Sequence, residues 1–312
     1  MKKVLLILMV ASVLFPGCRN KTPSEIIIFH AGSLSVPFKA LATEYEKLNP
    51  GTKVLLEPAG SLVCARKITE LKKPCDIIAS ADYFVINELL MPDYTKWSIR
   101  FATNEIVIAF QEKSKYAAEI NALNWIDILL KNDVTFSRSD PDSDPCGYRT
   151  LLTFKLAEKY YNRIGIAEKL ASKNMDFIRP KEVDLVALIE ANAVDYMFQY
   201  KSVAIQHNLR YIELPREINL GDPALNDLYK TVSQDVSGGT PGSRMTVTGE
   251  YINYSLSVLD SAPHSKDAIN FVSYLLSDKG MDIFRKNGQQ PIIPCTSGQP
   301  GEVPKNLIKY LE

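Results

Sequence analysis

Apolar and polar positions alternate along this chain in a repeating order. Ile26 to Phe29 is an unbroken β-branched and aromatic run, which predicts a buried strand. After His30-Ala31-Gly32-Ser33, the apolar positions Leu34, Phe38, Leu41, Tyr45 and Leu48 fall on one face of a helix. Ser33 stands where an N-cap belongs, and Asn49-Pro50-Gly51 stops the helix. The order then repeats. Lys53 to Glu57 predicts a strand, Pro58-Ala59-Gly60-Ser61 a loop, and the residues through Leu71 a helix. Cys75 to Ser80 predicts the third strand and Tyr83 to Leu90 the third helix. This βαβαβα order predicts an α/β fold with a mainly parallel sheet.

A second stretch opens with the strand Ile106 to Phe110. Val134 to Phe136 leads through a polar loop to Cys146-Gly147-Tyr148-Arg149, then a helix from Thr150 to about Tyr161. Asp176 to Ile178 predicts a short strand. Lys181-Glu182 opens a helix carrying Val186, Leu188 and Ile189. Asp195 to Tyr200 and Tyr211 to Leu214 predict strands. After a Gly- and Ser-rich turn, Ser237 to Ser243, come the strand Tyr254 to Leu259 and the helices Ser265 to Leu276 and Ser277 to Asn287.

The first residues read as a leader. Lys2 and Lys3 precede an apolar run from Val4 to Leu14, well short of the roughly 20 residues that span a bilayer. Phe15-Pro16-Gly17-Cys18 resembles a bacterial lipoprotein cleavage box. The expectation is a signal peptide over 1–17 and a tether over 18–25 that begins with lipidated Cys18. A plain secretory signal with a chance Cys is the alternative. The 312 residues are 46% hydrophobic and 23% charged, as in an ordinary folded protein. The 36 basic and 36 acidic residues balance, which argues against a nucleic-acid binder. Losing Lys2 and Lys3 would leave 34 basic residues against 36 acidic ones. Export permits disulfides, but Cys64, Cys75, Cys146 and Cys295 show no CxxC spacing and are expected to be unpaired.

Three loops carry the candidate chemistry: Gly32-Ser33, Gly60-Ser61 and Pro145-Cys146-Gly147. In an open α/β sheet such loops lie at the carboxyl ends of the strands, where ligands bind. Helix N-termini and serine hydroxyls can hold an anion without Lys or Arg. The same serines equally serve as helix caps. Neither GxxxxGK[ST] nor GxGxxG is present. Cys146 at a helix start raises the alternative of an exported enzyme, but His30, His207 and His264 form no recognisable signature with it, and GxSxG and HExxH are missing. Trp97 and Trp125 are expected to pack in the core.

The stretches HAGSLSVPF, EPAGS, DIIASADY, DPCGYR, RPKEVDLVALIE, DYMFQYKSVA and KNGQQPI resemble the tungstate/molybdate-binding proteins of ABC importers, in the branch first known from archaea. The resemblance runs from about Ile26 to Pro294. It implies the type II periplasmic-binding-protein fold, with two α/β lobes and the ligand in the cleft between them. Lobe one is placed at 26–102 plus 248–312 and lobe two at 103–247. The implied ligand shell is Gly32, Ser33, Ser61, Asp144, Pro145, Cys146, Glu182 and Tyr200. In that branch two carboxylates, here Asp144 and Glu182, coordinate the metal centre and make it six-coordinate.

A carboxylate facing a dianion in a low-dielectric cleft repels it unless its oxygen bonds to the metal. Hard oxygen ligands suit such a centre. The sulfur of sulfate and the phosphorus of phosphate do not expand their coordination in this way, so paired carboxylates disfavour these ions. Without the resemblance, Asp144 reads as an Asx turn and Glu182 as a first-turn acid. The resemblance further implies a non-enzymatic monomer without a cofactor, with a permease and ATPase as partners, and the leader adds the expectation of lipid anchoring on the outer face of a membrane. A sulfate or phosphate binder on the same fold is the alternative. Two features depart from the branch: Gln199 stands where Glu is expected, and the segment between Tyr161 and Pro180 is short.

Overall fold

The computed structural model describes residues 24–311. The expected signal peptide, Cys18 and all but the last two residues of the tether lie outside them. The β-branched run at Ile26 is the centre of β1 (Ser24–Ala31), followed by β2 (Thr52–Ala59), β3 (Ile77–Ser80) and β4 (Ile99–Thr103). The chain continues through β5 (Ile106–Phe110), β6 (Phe136–Ser137), β7 (Tyr196–Tyr200) and β8 (Arg210–Glu213). The last four strands are β9 (Ser233–Ser237), β10 (Arg244–Thr248), β11 (Asn253–Val258) and β12 (Gln290–Thr296).

These strands build a six-stranded sheet in the order β12-β4-β11-β3-β1-β2 and a four-stranded sheet in the order β6-β7-β5-β8. A separate hairpin pairs β9 with β10. Parallel pairing holds for β1 with β2 and β3, and for β6 with β7. The expectation of a mainly parallel sheet is therefore corrected. Strand β11 pairs antiparallel with β3 and β4, and β5 pairs antiparallel with β7 and β8. The antiparallel strands arise because the chain leaves the first sheet after β4 and re-enters it at β11. Asn104 and Glu105 carry the outward crossing.

Each sheet is sealed by its own aromatic core. Phe38, Leu41 and Tyr45 of the helix Ser35–Leu48 are buried. Phe101 and Phe38 meet Phe284 with ring centroids 5.0 and 6.1 Å apart. Behind the second sheet, Phe198 meets Phe154 edge-on at 4.8 Å and Trp125 at 5.9 Å. Trp97 and Trp125 are both buried, as expected of packing residues. A buried side chain of this size contributes about 1.5–3 kcal/mol.

Two local expectations fail for identifiable reasons. Residues 176–178 do not form a strand, because Met175–Phe177 is a 3-10 turn. Asn174, at a φ of 56°, turns the chain there, and its side chain accepts the Phe136 N–H at 3.1 Å. The helix expected from Thr150 begins five residues earlier, at Pro145. Asp144 caps it by accepting the Cys146 N–H at 3.1 Å, and Pro145 occupies a first-turn position where its missing N–H costs nothing.

Candidate functional site

The loop after β1 is not the simple cap its sequence suggests. Gly32–Leu34 forms a 3-10 turn, and the helix begins at Ser35 without a side-chain cap. Ser33 is fully buried, and its hydroxyl accepts a hydrogen bond from the Tyr254 hydroxyl at 3.0 Å. Ser61 is likewise not a cap. It lies inside the helix Ser61–Thr69, and its hydroxyl accepts the Ala81 N–H at 3.0 Å.

Two carboxylates close over these serines from the side of the second sheet. Asp144 and Glu182 are both fully buried. Besides capping its helix, Asp144 accepts the backbone N–H of Glu182 through Oδ2 at 2.7 Å. Glu182 Oε1 accepts the backbone N–H of Ser33, joining the two sides of the site. A Cβ on Gly32 would lie 3.1 Å from Glu182 Oε2 and 3.0 Å from Val183, so the glycine admits this close approach. Burial first, and the Glu182 charge second, push the Asp144 carboxyl well above its ordinary range.

Tyr200 ends β7 beside this group, and Gln199 holds the pieces together. The Gln199 amide donates to the Glu182 carbonyl at 2.7 Å and accepts the Tyr200 N–H at 2.8 Å. The Cys146 thiol lies 3.9 Å from the same amide oxygen. Glu182 Oε2 and the Tyr200 hydroxyl are buried and have no hydrogen-bond partner. Buried polar atoms left unpaired cost about 1–3 kcal/mol each, so these two atoms are candidates for contact with a ligand.

Gly32, Ser33, Asp144, Cys146, Glu182 and Tyr200 are thus brought together through direct bonds or shared partners. Pro145 follows Asp144 in the same first turn. Ser61 joins through the helix after Gly60, where a Cβ would lie 2.3 Å from the Ser143 carbonyl oxygen and 3.0 Å from that of Pro180. The main chains of the two sides meet at that glycine. Burial, followed by the charges of Asp144 and Glu182, raises the Cys146 thiol pKa, the opposite of what activates a nucleophile. The histidines have other roles. His30 is buried against Phe38 and held neutral, its pKa lowered to about 4 by burial, and His264 meets Asp76 at 3.3 Å. Among the described residues, all four cysteines are free and buried.

Sequence reasoning missed the residues that support this group. Asn104, Ser202, Tyr254 and Gln289 form a buried hydrogen-bonded set behind Ser33. It also missed the buried pair Asp82–Arg149, at 2.6 Å, which crosses between the two sides. The available signal was polarity out of place: Asn104 interrupts two apolar strands, and Tyr254 and Ser255 sit inside a wholly buried one.

Comparison with known proteins gives this geometry a family. The family model described as bacterial extracellular solute-binding protein matches residues 26–290. The molybdate/tungstate-binding protein WtpA of Pyrococcus abyssi is 45% identical over 318 residues, covering 93% of this chain and 91% of its own. Among solved structures, the periplasmic molybdate-binding protein of Azotobacter vinelandii superposes with a TM-score of 0.58 at 16% identity, covering 85% of this chain and 98% of that one. The sulfate-binding protein SubI of Mycobacterium tuberculosis superposes with a TM-score of 0.62 at 12% identity, covering 86% and 87%. These neighbours share the two-lobed α/β fold. Because a sulfate binder is among them, the fold leaves the choice of ligand to the residues of the cleft.

Proposed function

This chain belongs to the bacterial extracellular solute-binding proteins, and from that premise we propose that it captures tungstate or molybdate between two lobes and delivers the ion to an ABC transporter. The lobes are 26–102 with 248–312, and 103–247. One observation carries the reading: Asp144 and Glu182 are buried together against Ser33, with Glu182 Oε2 and the Tyr200 hydroxyl unpartnered. Two carboxylates beside an anion site would repel sulfate or phosphate. They suit an oxyanion whose metal centre accepts further oxygen ligands. In this role Asp144 and Glu182 bind the metal of the cargo. Gly32, Ser33, Ser61, Pro145, Cys146 and Tyr200 surround its oxygens.

The role is binding without catalysis, which the unactivated Cys146 thiol supports. Among the described residues no helix is long and apolar enough to cross a membrane. Attachment would come from a lipid on Cys18, with the permease and ATPase as membrane partners.

Calorimetric titration with tungstate and with molybdate, each in a large excess of sulfate, tests the proposal. Tight one-to-one binding that sulfate does not weaken is expected. Folded, ligand-free protein that gives no heat with either ion refutes it.

A further inference from the structure

Ser33 sits at the end of a chain of hydrogen bonds whose direction can be read. The starting points are two backbone N–H groups, which can only donate. Those of Glu105 and Ser202 point at Asn104 Oδ1, at 3.0 and 3.4 Å. The Asn104 amide is therefore oriented with its oxygen toward them and its NH2 group away. That NH2 group donates to Ser202 Oγ at 2.7 Å and to the Tyr254 hydroxyl oxygen at 3.0 Å. With its oxygen accepting from Asn104, the Tyr254 hydroxyl turns its own proton to Ser33 Oγ, 3.0 Å away. Ser33 Oγ accepts there, so its own proton is left to point elsewhere.

We propose that Asn104 and Tyr254 are positioning residues that hold the Ser33 hydroxyl as a donor toward the bound oxyanion. The inference rests on the proposed function and extends it to residues behind the cleft. Ser61 reaches the same state by a shorter route. Its oxygen accepts the Ala81 N–H directly, and its proton is likewise free. Both serines then present protons to an ion whose oxygens carry none. A hydroxyl restricted in this way loses less rotational freedom on binding, and a bond to a charged acceptor is about twice as strong as a neutral one. The relay is buried: Asn104 is 6% exposed, and Ser33, Ser202 and Tyr254 are fully buried. The Gln289 amide braces it by donating to the Ser33 carbonyl at 3.0 Å and to Ser202 Oγ at 3.3 Å. Asn104 also lies in the crossing between the sheets, so the ligand loop is bonded to the segment about which the lobes would move.

The test is Asn104→Asp, which keeps the shape and reverses the relay. The new carboxylate oxygen can only accept, so Tyr254 donates to it and accepts from Ser33, and the Ser33 proton turns away from the ion. Calorimetry with tungstate should show binding about tenfold weaker or more. The added negative charge also repels the ion, so the same substitution is made in a Tyr254→Phe background, where the relay is cut and the charge remains. The loss should be several-fold smaller there. An equal loss in both backgrounds overturns the inference. If Asn104→Asp does not fold, a Ser33→Ala and Tyr254→Phe cycle decides. The Tyr254→Phe loss should vanish once Ser33 is alanine, and full additivity overturns the inference. A wild-type protein that binds neither ion sinks the proposed function together with this inference. Normal wild-type binding with an additive cycle sinks the relay alone.

Discussion

Asp144 accepts the backbone N–H of Glu182 at 2.7 Å, although 38 residues separate them. That bond fixes two carboxylates side by side in a buried site, an arrangement that is unfavourable by itself. Replacing either carboxylate by its amide should remove one oxygen ligand from the ion. Glu182→Gln is expected to weaken tungstate binding by about tenfold to a hundredfold or more. Glu217→Gln, on a residue outside the site, should change it by less than about threefold. Equal losses in titrations of the two variants would remove Glu182 from the shell.

The same crowding gives a pH signature. The folded Asp144 pKa is raised above the ordinary aspartate value of 3.8, by burial first and then by Glu182. A group raised in this way contributes stability that is fully present below the unfolded pKa and is lost as pH rises through the folded one. Asp144→Asn carries no such penalty. Because the buried, charged carboxyl disfavours the closed form, the ligand-free radius of gyration of wild type should lie close to that of Asp144→Asn near pH 4 and exceed it increasingly as pH rises. A gap that stays constant, or that closes with rising pH, contradicts the arrangement. Tungstate binding should be weakened in the same variant, so ligand-free closure and function move in opposite directions.

The strand–loop–helix order at Gly32-Ser33 and Gly60-Ser61 was legible because apolar periodicity is local. The chemistry of those serines was not. Capping is the common use of a serine at a helix start, yet Ser33 bonds to Tyr254, 221 residues away, and Ser61 to Ala81. Periodicity is blind to such partners. The pairing of Asp144 with Glu182 was legible through resemblance and not through spacing, since the intervening helix and turn set their distance. The Gln199 amide joins Glu182 to Tyr200, a contact that no spacing in the sequence marks.

Asp82 and Arg149 form a second tie between the two sides. Both are 2% exposed and 2.6 Å apart. The Tyr148 hydroxyl donates to the same Asp82 oxygen at 2.7 Å, and Arg149 also donates to the Glu250 carbonyl at 2.9 Å. Removing one partner of such a pair leaves the other charge buried and costs about 3–5 kcal/mol. Asp82→Ala should therefore destabilise the closed form and weaken tungstate binding by about a hundredfold or more, chiefly through faster release. Stopped-flow dissociation rates that match wild type would show that the pair has no part in closure.

Gly60 separates closure from folding. Its φ of −59° and ψ of 142° are open to alanine, so Gly60→Ala strains no backbone. The added methyl would nevertheless lie 2.3 Å from the Ser143 carbonyl oxygen, which belongs to the opposite side of the cleft. The clash exists only when the two sides are together. Gly60→Ala should thus fold with a wild-type thermal midpoint in the absence of ligand. In small-angle scattering, wild type should become more compact on adding tungstate, while the variant should keep the open dimensions and bind weakly. Compaction equal to wild type would mean that the two sides yield at this point. An unchanged wild-type profile on ligand addition would mean that capture does not involve closure.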